Sequence, residues 1–320
     1  MTATDPSSRG RVIAAFAAVY VIWGSTYLGI RVAIETIPPF LMGGVRFLLA
    51  GAILYVWARS RGDASPTPRH WLAATIVGGL LLLGGNGAVM WAAQHVPTGI
   101  VSLLVAMVPL WIVLFEWLGP RKVRPTTGVA MGVVLGLVGL AVLAGPALWG
   151  GKEGVDPLSV VVLMLGSMSW AAGSLYSRRS TLPSSSILAM GMEMLGGGAL
   201  LLIAGLLFGE LPRLDIEAVS GRSLLAMAYL LVFGSLIGYT AYIWLLRVQP
   251  AARVSTYAYV NPTVAVFLGW LVLSEPVTQR TLLAGAIIVG SVALITTTGR
   301  SDTERTNVTN TSEPATTRAA

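Results

Sequence analysis

Apolar runs of near-spanning length alternate with short polar punctuation along almost the whole chain. A helix needs about 20 largely apolar residues to cross the hydrocarbon core of a bilayer. Ten such runs are legible, at roughly 12–31, 40–58, 71–93, 98–118, 126–146, 157–177, 187–208, 223–246, 251–273 and 281–299. The connections are short and carry turn signals: Pro38-Pro39, Pro66-Thr67-Pro68, Val96-Pro97, Gly119-Pro120, Pro183 and Gln249-Pro250. Residues 1–11 form a polar segment whose Arg9 and Arg11 resemble the start of a signal peptide. The run that follows is nearly of full spanning length, lacks a clean small-x-small cleavage site and precedes further spans, so it reads as an uncleaved first helix. Residues 300–320 are rich in Thr, Asn, Ser and Glu and predict a disordered cytoplasmic tail, in which the sequons at Asn307 and Asn310 are matches by pattern only. The expected fold class is an all-α polytopic membrane protein of ten transmembrane helices.

Those helices fall into two repeats of five, 12–146 and 157–299. Trp23 and Trp170 are 147 residues apart, and so are Arg46 and Glu193. Phe40–Ala52 aligns with Ile187–Ala199 without a gap. Pro97 and Pro250, Ser102 and Ser255, and Pro109 and Pro262 are each 153 apart, the extra residues fitting into the loop around Glu210–Arg222. Five helices per repeat is an odd number, so the second repeat must insert upside down. Inverted repeats supply two related conformations open to opposite sides, the basis of alternating access.

Composition supports lipid as the solvent. Charged residues are 11% of the chain, against about 25% in soluble domains. Hydrophobic residues reach 55%, which a soluble fold could bury only by exposing almost no charge. The net charge of +7 would suggest nucleic acid in a soluble protein. Here the basic residues sit between apolar runs and orient the chain instead. With the N-terminus in the cytoplasm, Arg9, Arg11, Arg59, Arg61, Arg69, Arg121, Lys122, Arg124, Arg178, Arg179, Arg247, Arg300, Arg305 and Arg318 lie inside, and Arg31, Lys152, Arg213, Arg222 and Arg280 outside. Both termini are then cytoplasmic. No cysteine is present, which excludes disulfides, thiolate metal sites and thiol nucleophiles.

The runs Trp23-Gly-Ser-Thr-Tyr-Leu-Gly-Ile-Arg31 and Gly44-Val-Arg-Phe-Leu-Leu-Ala-Gly51 resemble the start of the EamA family of the drug/metabolite transporter superfamily. Further resemblance lies in Gly85-Asn-Gly87, Gly166-Ser-Met-Ser-Trp-Ala-Ala-Gly-Ser174, Ser255-Thr-Tyr-Ala-Tyr-Val-Asn-Pro262 and Glu275. It covers about residues 12–299 and points to the YedA-like bacterial inner-membrane members in particular. It implies two inverted EamA repeats around a central cavity lined mainly by the first, third, fourth, sixth, eighth and ninth helices, and export or exchange of metabolites such as amino acids, or of drugs. Neither substrate nor direction follows from it.

On those helices stand the candidate cavity residues Trp23, Tyr27, Asn86, Trp91, Trp170, Tyr239, Tyr242, Tyr257, Tyr259 and Asn261, together with Gln94 and Tyr176. Aromatic walls suit organic cations and amphipathic solutes, although a Trp in a helix bundle is more often packing. Trp57, Trp71 and Trp149 lie near span ends and read as an interfacial belt. Arg46 and Glu193 are intramembrane charges at matching places in the second and seventh helices. They are either a pair whose breakage or protonation accompanies the switch, a substrate and proton site, or static structural charges. Glu116 reads as an interfacial anchor near Arg121 and Lys122. Pro109 and Pro262 interrupt the hydrogen-bond ladders of matching helices and are candidate hinges. Glycines 128, 132 and 136, and Gly234 with Gly238, have G-x-x-x-G spacing for close helix packing; the face on the fifth helix would permit a homodimer.

An enzyme finds little support. His70 and His95 sit at opposite membrane edges, no H-E-x-x-H or G-x-S-x-G occurs, and no carboxylate pair lies within one span. No metal or cofactor is expected, and without a G-x-x-x-x-G-K-[ST] run ATP is not the direct driver. A channel would need a filter or charge rings that are not recognisable here. The sequence therefore reads as an inner-membrane secondary carrier, an exporter of a small organic metabolite or drug-like compound. Proton coupling through Glu193 and facilitated exchange both remain open, and the bilayer and a small-molecule substrate are the expected partners, with no nucleic acid.

Overall fold

Prolines and small polar side chains start the helices. Pro39, Pro68 and Pro157 each open one, at a position whose N–H has no intrahelical partner anyway. Thr67 accepts from the His70 N–H at 3.3 Å while the His70 ring accepts from the Thr67 N–H. Ser185 and Ser220 cap in the same way. Asp156 accepts from both the N–H and the hydroxyl of Ser159, at 2.8 and 2.7 Å. Those two Ser159 bonds, the hydroxyl first, hold the Asp156 carboxyl below its ordinary value.

The computed structural model describes residues 6–119, 124–148, 156–249, 254 and 256–311. It contains α1 (Pro6–Ala33), α2 (Pro39–Ser60), α3 (Pro68–Gly78), α4 (Gly87–Ala92), α5 (Thr98–Val105), α6 (Val108–Leu118), α7 (Thr127–Leu148), α8 (Pro157–Ser177), α9 (Ser186–Leu207), α10 (Gly221–Tyr229), α11 (Gly238–Val248), α12 (Tyr257–Leu273) and α13 (Gln279–Thr311). A π-helical segment, Gly79–Asn86, fuses α3 to α4, and a second, Leu230–Ile237, fuses α10 to α11. Helices or fused rods long and apolar enough to cross a membrane number 8, while Thr127–Leu143 and Val260–Leu273 are apolar but shorter. Every predicted run recurs as helix, yet these two fall short of spanning length over the described residues. At the other end α13 runs on to Thr311, past Arg300; extending a formed helix needs no new nucleus. Arg121, Lys122, Trp149 and Lys152 lie outside the described residues.

The principal packing map survives exchange of the repeats. Helix α2 lies along α9 and α7 along α13; α1 packs on α12 as α8 does on α5 and α6; the third span packs on α9 as the eighth does on α2. Counterpart helices run antiparallel. Gly44 meets Leu202 while Gly51 meets Gly191 and Leu195, and Gly128 meets Thr298 while Gly139 meets Ile288. This is the relation that inversion of the second repeat requires.

The α7–α13 contact also occupies the glycine face on which a homodimer was expected. Gly132 abuts Ile295 and Ser291, and Gly136 abuts Ser291 and Leu110, so the G-x-x-x-G face of the fifth helix is taken up within the chain. A broad exposed apolar surface, including Leu118, Leu165, Leu207 and Leu225, suits a lipid surround.

Two carboxylates close one end of the bundle. Helix α9 ends at Gly209, whose φ of 68° is the left-handed conformation glycine adopts without cost. The turn throws Glu210, 4% exposed, onto the start of α2, where it accepts from the N–H groups of Phe40 and Leu41 at 3.2 and 2.9 Å. Helix α12 ends likewise at Ser274, φ 54°, and Glu275 accepts from the Thr98 N–H at 2.9 Å and its hydroxyl at 2.7 Å. In both cases a carboxylate from the second repeat neutralises the positive N-terminus of its first-repeat counterpart.

Candidate substrate site

The two π segments are where the repeats grip each other. A π turn widens the helix and leaves carbonyls free of their usual partners. Trp23, midway along α1, uses one: its indole N–H donates to the Gly234 carbonyl at 3.3 Å. Its ring lies against Gly238, where a Cβ would come within 2.5 Å of the indole nitrogen, so only glycine admits it. Trp170 on α8 is seated the same way on the other π segment, with a Gly85 Cβ position 2.6 Å from its ring. Gly85 and Gly238 are 153 apart, as the repeat demands.

Only the Trp23 seat is furnished with rings among the described residues. Trp23 lies 5.3 Å from Tyr239, 5.1 Å from Tyr242 and 5.1 Å from Tyr257, and Tyr242 lies 5.7 Å from Tyr257, in edge-on and tilted arrangements. Tyr27, Tyr239 and Tyr257 are half-buried and pack against the buried core. The side chain of Tyr259 lies outside the described residues.

Arg46 reaches this cluster from α2. It is 4% exposed; its Nε donates to the Ser235 hydroxyl at 3.0 Å, its guanidinium carbon is 4.6 Å from the Phe47 ring centroid, and its Nη1 has no partner. It makes no ion pair with Glu193, which corrects the expectation of a direct pair. Equivalent positions on antiparallel neighbours do not place side-chain tips together, and Arg46 turns to the eighth span instead. Tyr239 stands within the field of both charges. Glu116 pairs with Arg178 at 3.6 Å across a largely exposed gap, while Arg121 and Lys122, the neighbours expected for it, lie outside the described residues.

The remaining candidates are dispersed. The Asn86 amide donates to the Leu81 carbonyl at 3.5 Å, inside its own π segment. Asn261 is 7% exposed and its side-chain oxygen has no partner. Pro109 stands just past a real break, since the fourth span is divided between α5 and α6. Pro262, its repeat counterpart, is inside the unbroken α12, so the pair is not a matched pair of kinks. Trp91 lies 4.9 Å from the His95 ring in a tilted arrangement and borders a cavity of about 1250 Å³ shared with Phe40, Gln94, Phe208 and Glu210. That cavity lies at the end where Glu210 caps α2; none of Trp23, Tyr27, Trp170, Tyr239, Tyr242 and Tyr257 is on its wall. Sequence reasoning missed Ser235 and the seating role of Gly85 and Gly238, although the 153-residue spacing of the two glycines was there to find.

The EamA-like transporter family matches the chain twice, over residues 10–145 and 157–297. The chain belongs to the EamA-like transporter family. Among EamA relatives, the "Uncharacterized inner membrane transporter YedA" of Escherichia coli (strain K12) is 41% identical over 280 residues, 87% of this chain and 88% of that one. The "Uncharacterized transporter YvbV" of Bacillus subtilis is 26% identical, covering 91% and 93%, and "Protein PecM" of Dickeya dadantii is 28% identical, covering 85% of each. A solved crystal structure superposes with a TM-score of 0.59 over 91% of this chain and 99% of its own, at 21% identity, and so shares the fold. The two EamA matches divide the chain where the packing map does.

Proposed function

We propose that the chain is a secondary carrier that exports small organic solutes across the inner membrane by alternating access, and that the Trp23–Tyr239–Tyr242–Tyr257 cluster is its solute site. The reading has ten spans in two inverted repeats with both termini in the cytoplasm, oriented by the basic residues. Its inner-membrane setting leans on the relative YedA, and outward direction on the family resemblance.

One observation carries the site: Tyr239, Tyr242 and Tyr257 of one repeat converge on Trp23 of the other, where it is seated on the π segment. Converging rings give a solute apolar contact area with few rotamers to freeze. The wall comes from α1 of one repeat and α11 and α12 of the other, so movement between repeats reshapes it, as alternating access requires.

Proteoliposomes loaded with a panel of amino acids, organic acids, amines and nucleosides test the function. Saturable uptake accelerated by solute on the opposite side is expected. Discrete conductance steps without saturation would establish a channel instead, and no flux for any class would defeat the carrier reading for these solutes.

A further inference from the structure

We propose that Arg46 is the docking point for a carboxylate on the transported solute, whose apolar body lies against Trp23, Tyr239 and Tyr242. The inference rests on the carrier function proposed above and names its solute class: amphipathic organic carboxylates, whether simple anions or zwitterions.

The first ground is a missing counter-ion. A guanidinium in the middle of a span, 4% exposed, is costly unless paired. Arg46 has a neutral serine hydroxyl on Nε, a neighbouring ring and an empty Nη1. Its planar fork of donors matches a carboxylate better than any of these contacts.

The second ground is placement. Arg46 bonds Ser235 and Trp23 bonds Gly234, consecutive residues of one π segment. The charge and the ring wall therefore converge on adjacent residues of that segment. Rings alone would invite an organic cation. A positive charge without a direct ion-pair partner beside them disfavours one and selects the opposite sign. The other seat lacks this equipment: at the repeat spacing, Ser235 and Tyr239 correspond to Leu82 and Asn86. In this conformation the guanidinium is covered by the eighth span, with Gly234 against Nη2. Sliding of that span on α2, the motion between repeats, uncovers it.

The test uses purified full-length protein and four ligands with one phenyl body: 3-phenylpropionate, its neutral amide, phenylalanine and phenethylamine. Calorimetric titration of the wild type should show binding of the two carboxylates and weak or no binding of the amide and amine. Arg46→Gln should weaken carboxylate binding by about tenfold or more and remove the discrimination against the amine, while Arg46→Lys keeps part of it. Unchanged carboxylate affinity in Arg46→Gln, with loss in Trp23→Ala, would overturn the role of Arg46 and leave the carrier site standing. Wild-type preference for the amine or amide would overturn it too. If Arg46→Gln does not fold, Ser235→Ala keeps the charge while removing its one hydrogen-bond partner. Retained preference for carboxylate over amine in that variant supports the proposal, and its reversal defeats it. Absence of binding for all four ligands also defeats it, and the flux panel then decides the carrier reading separately.

Discussion

Trp23 and Trp170 hold equivalent places in two repeats, each pressed into a glycine seat on the other repeat's π segment, yet only one sits among tyrosines. Around Trp23 are three rings, and a buried arginine bonds the next residue of its π segment. Around Trp170 are Gly84, Gly85 and the Ser169 hydroxyl, which donates to the Leu80 carbonyl at 2.8 Å. The seats are the scaffold, duplicated because the repeats must pack through the same joint. The chemistry belongs to one of them. An internal repeat thus separates what folding needs from what a solute needs: features shared by both halves are structural, and those confined to one are candidates for function.

The comparison is broken most forcefully at the seats themselves. Gly238→Val and Gly85→Val each drive a side chain into a Trp ring, and overpacking of this kind costs about 1–3 kcal/mol or more. Thermal unfolding in detergent should show similar losses for both; a loss at one seat alone would mean that the joints are not equivalent. Next in size are the closing carboxylates. Glu210→Ala leaves the N–H groups of Phe40 and Leu41 without a partner, at a cost of about 2 kcal/mol, and Glu275→Ala should cost a similar amount at Thr98. A destabilised Glu210 variant beside an unaffected Glu275 variant would show that the second contact is dispensable. Ser274→Gly relieves a left-handed serine and should raise stability by about 1 kcal/mol, bringing that turn into line with Gly209.

The smallest effect is at Asp156. Its folded carboxyl titrates below the unfolded one, so the stability it contributes is present at neutral pH and lost as pH falls through the folded value. Asp156→Asn should lower the melting temperature slightly at pH 7, with the gap closing below about pH 4. A gap independent of pH would place the effect in packing instead.

The sequence made the architecture legible because lipid imposes a length and polarity rule on every span, and because the two halves retained Trp, Pro and charged positions at constant offsets. Trp23, Tyr239, Tyr242 and Tyr257 were legible as candidates by helix membership, and the structure brings them together. Where Arg46 points was not legible: the repeat makes it the counterpart of Glu193, whereas the guanidinium follows its long stem to the π segment around Ser235. The break before Pro109 without one at Pro262 was equally hidden, since a proline interrupts one hydrogen bond wherever it stands and packing decides whether the helix parts. The α7 glycine face was read correctly as a packing surface, but its partner, α13, is more than a hundred residues away and invisible to local pattern.

The most direct test of the central claim is solute flux in proteoliposomes for Trp23→Ala and Trp170→Ala side by side, normalised to folded protein. Loss of a ring from a solute wall is worth about tenfold in half-saturation, so Trp23→Ala should shift by that much while Trp170→Ala stays within about twofold. Equal shifts in both would contradict the account, since they would put the solute across the symmetry axis rather than at one furnished seat.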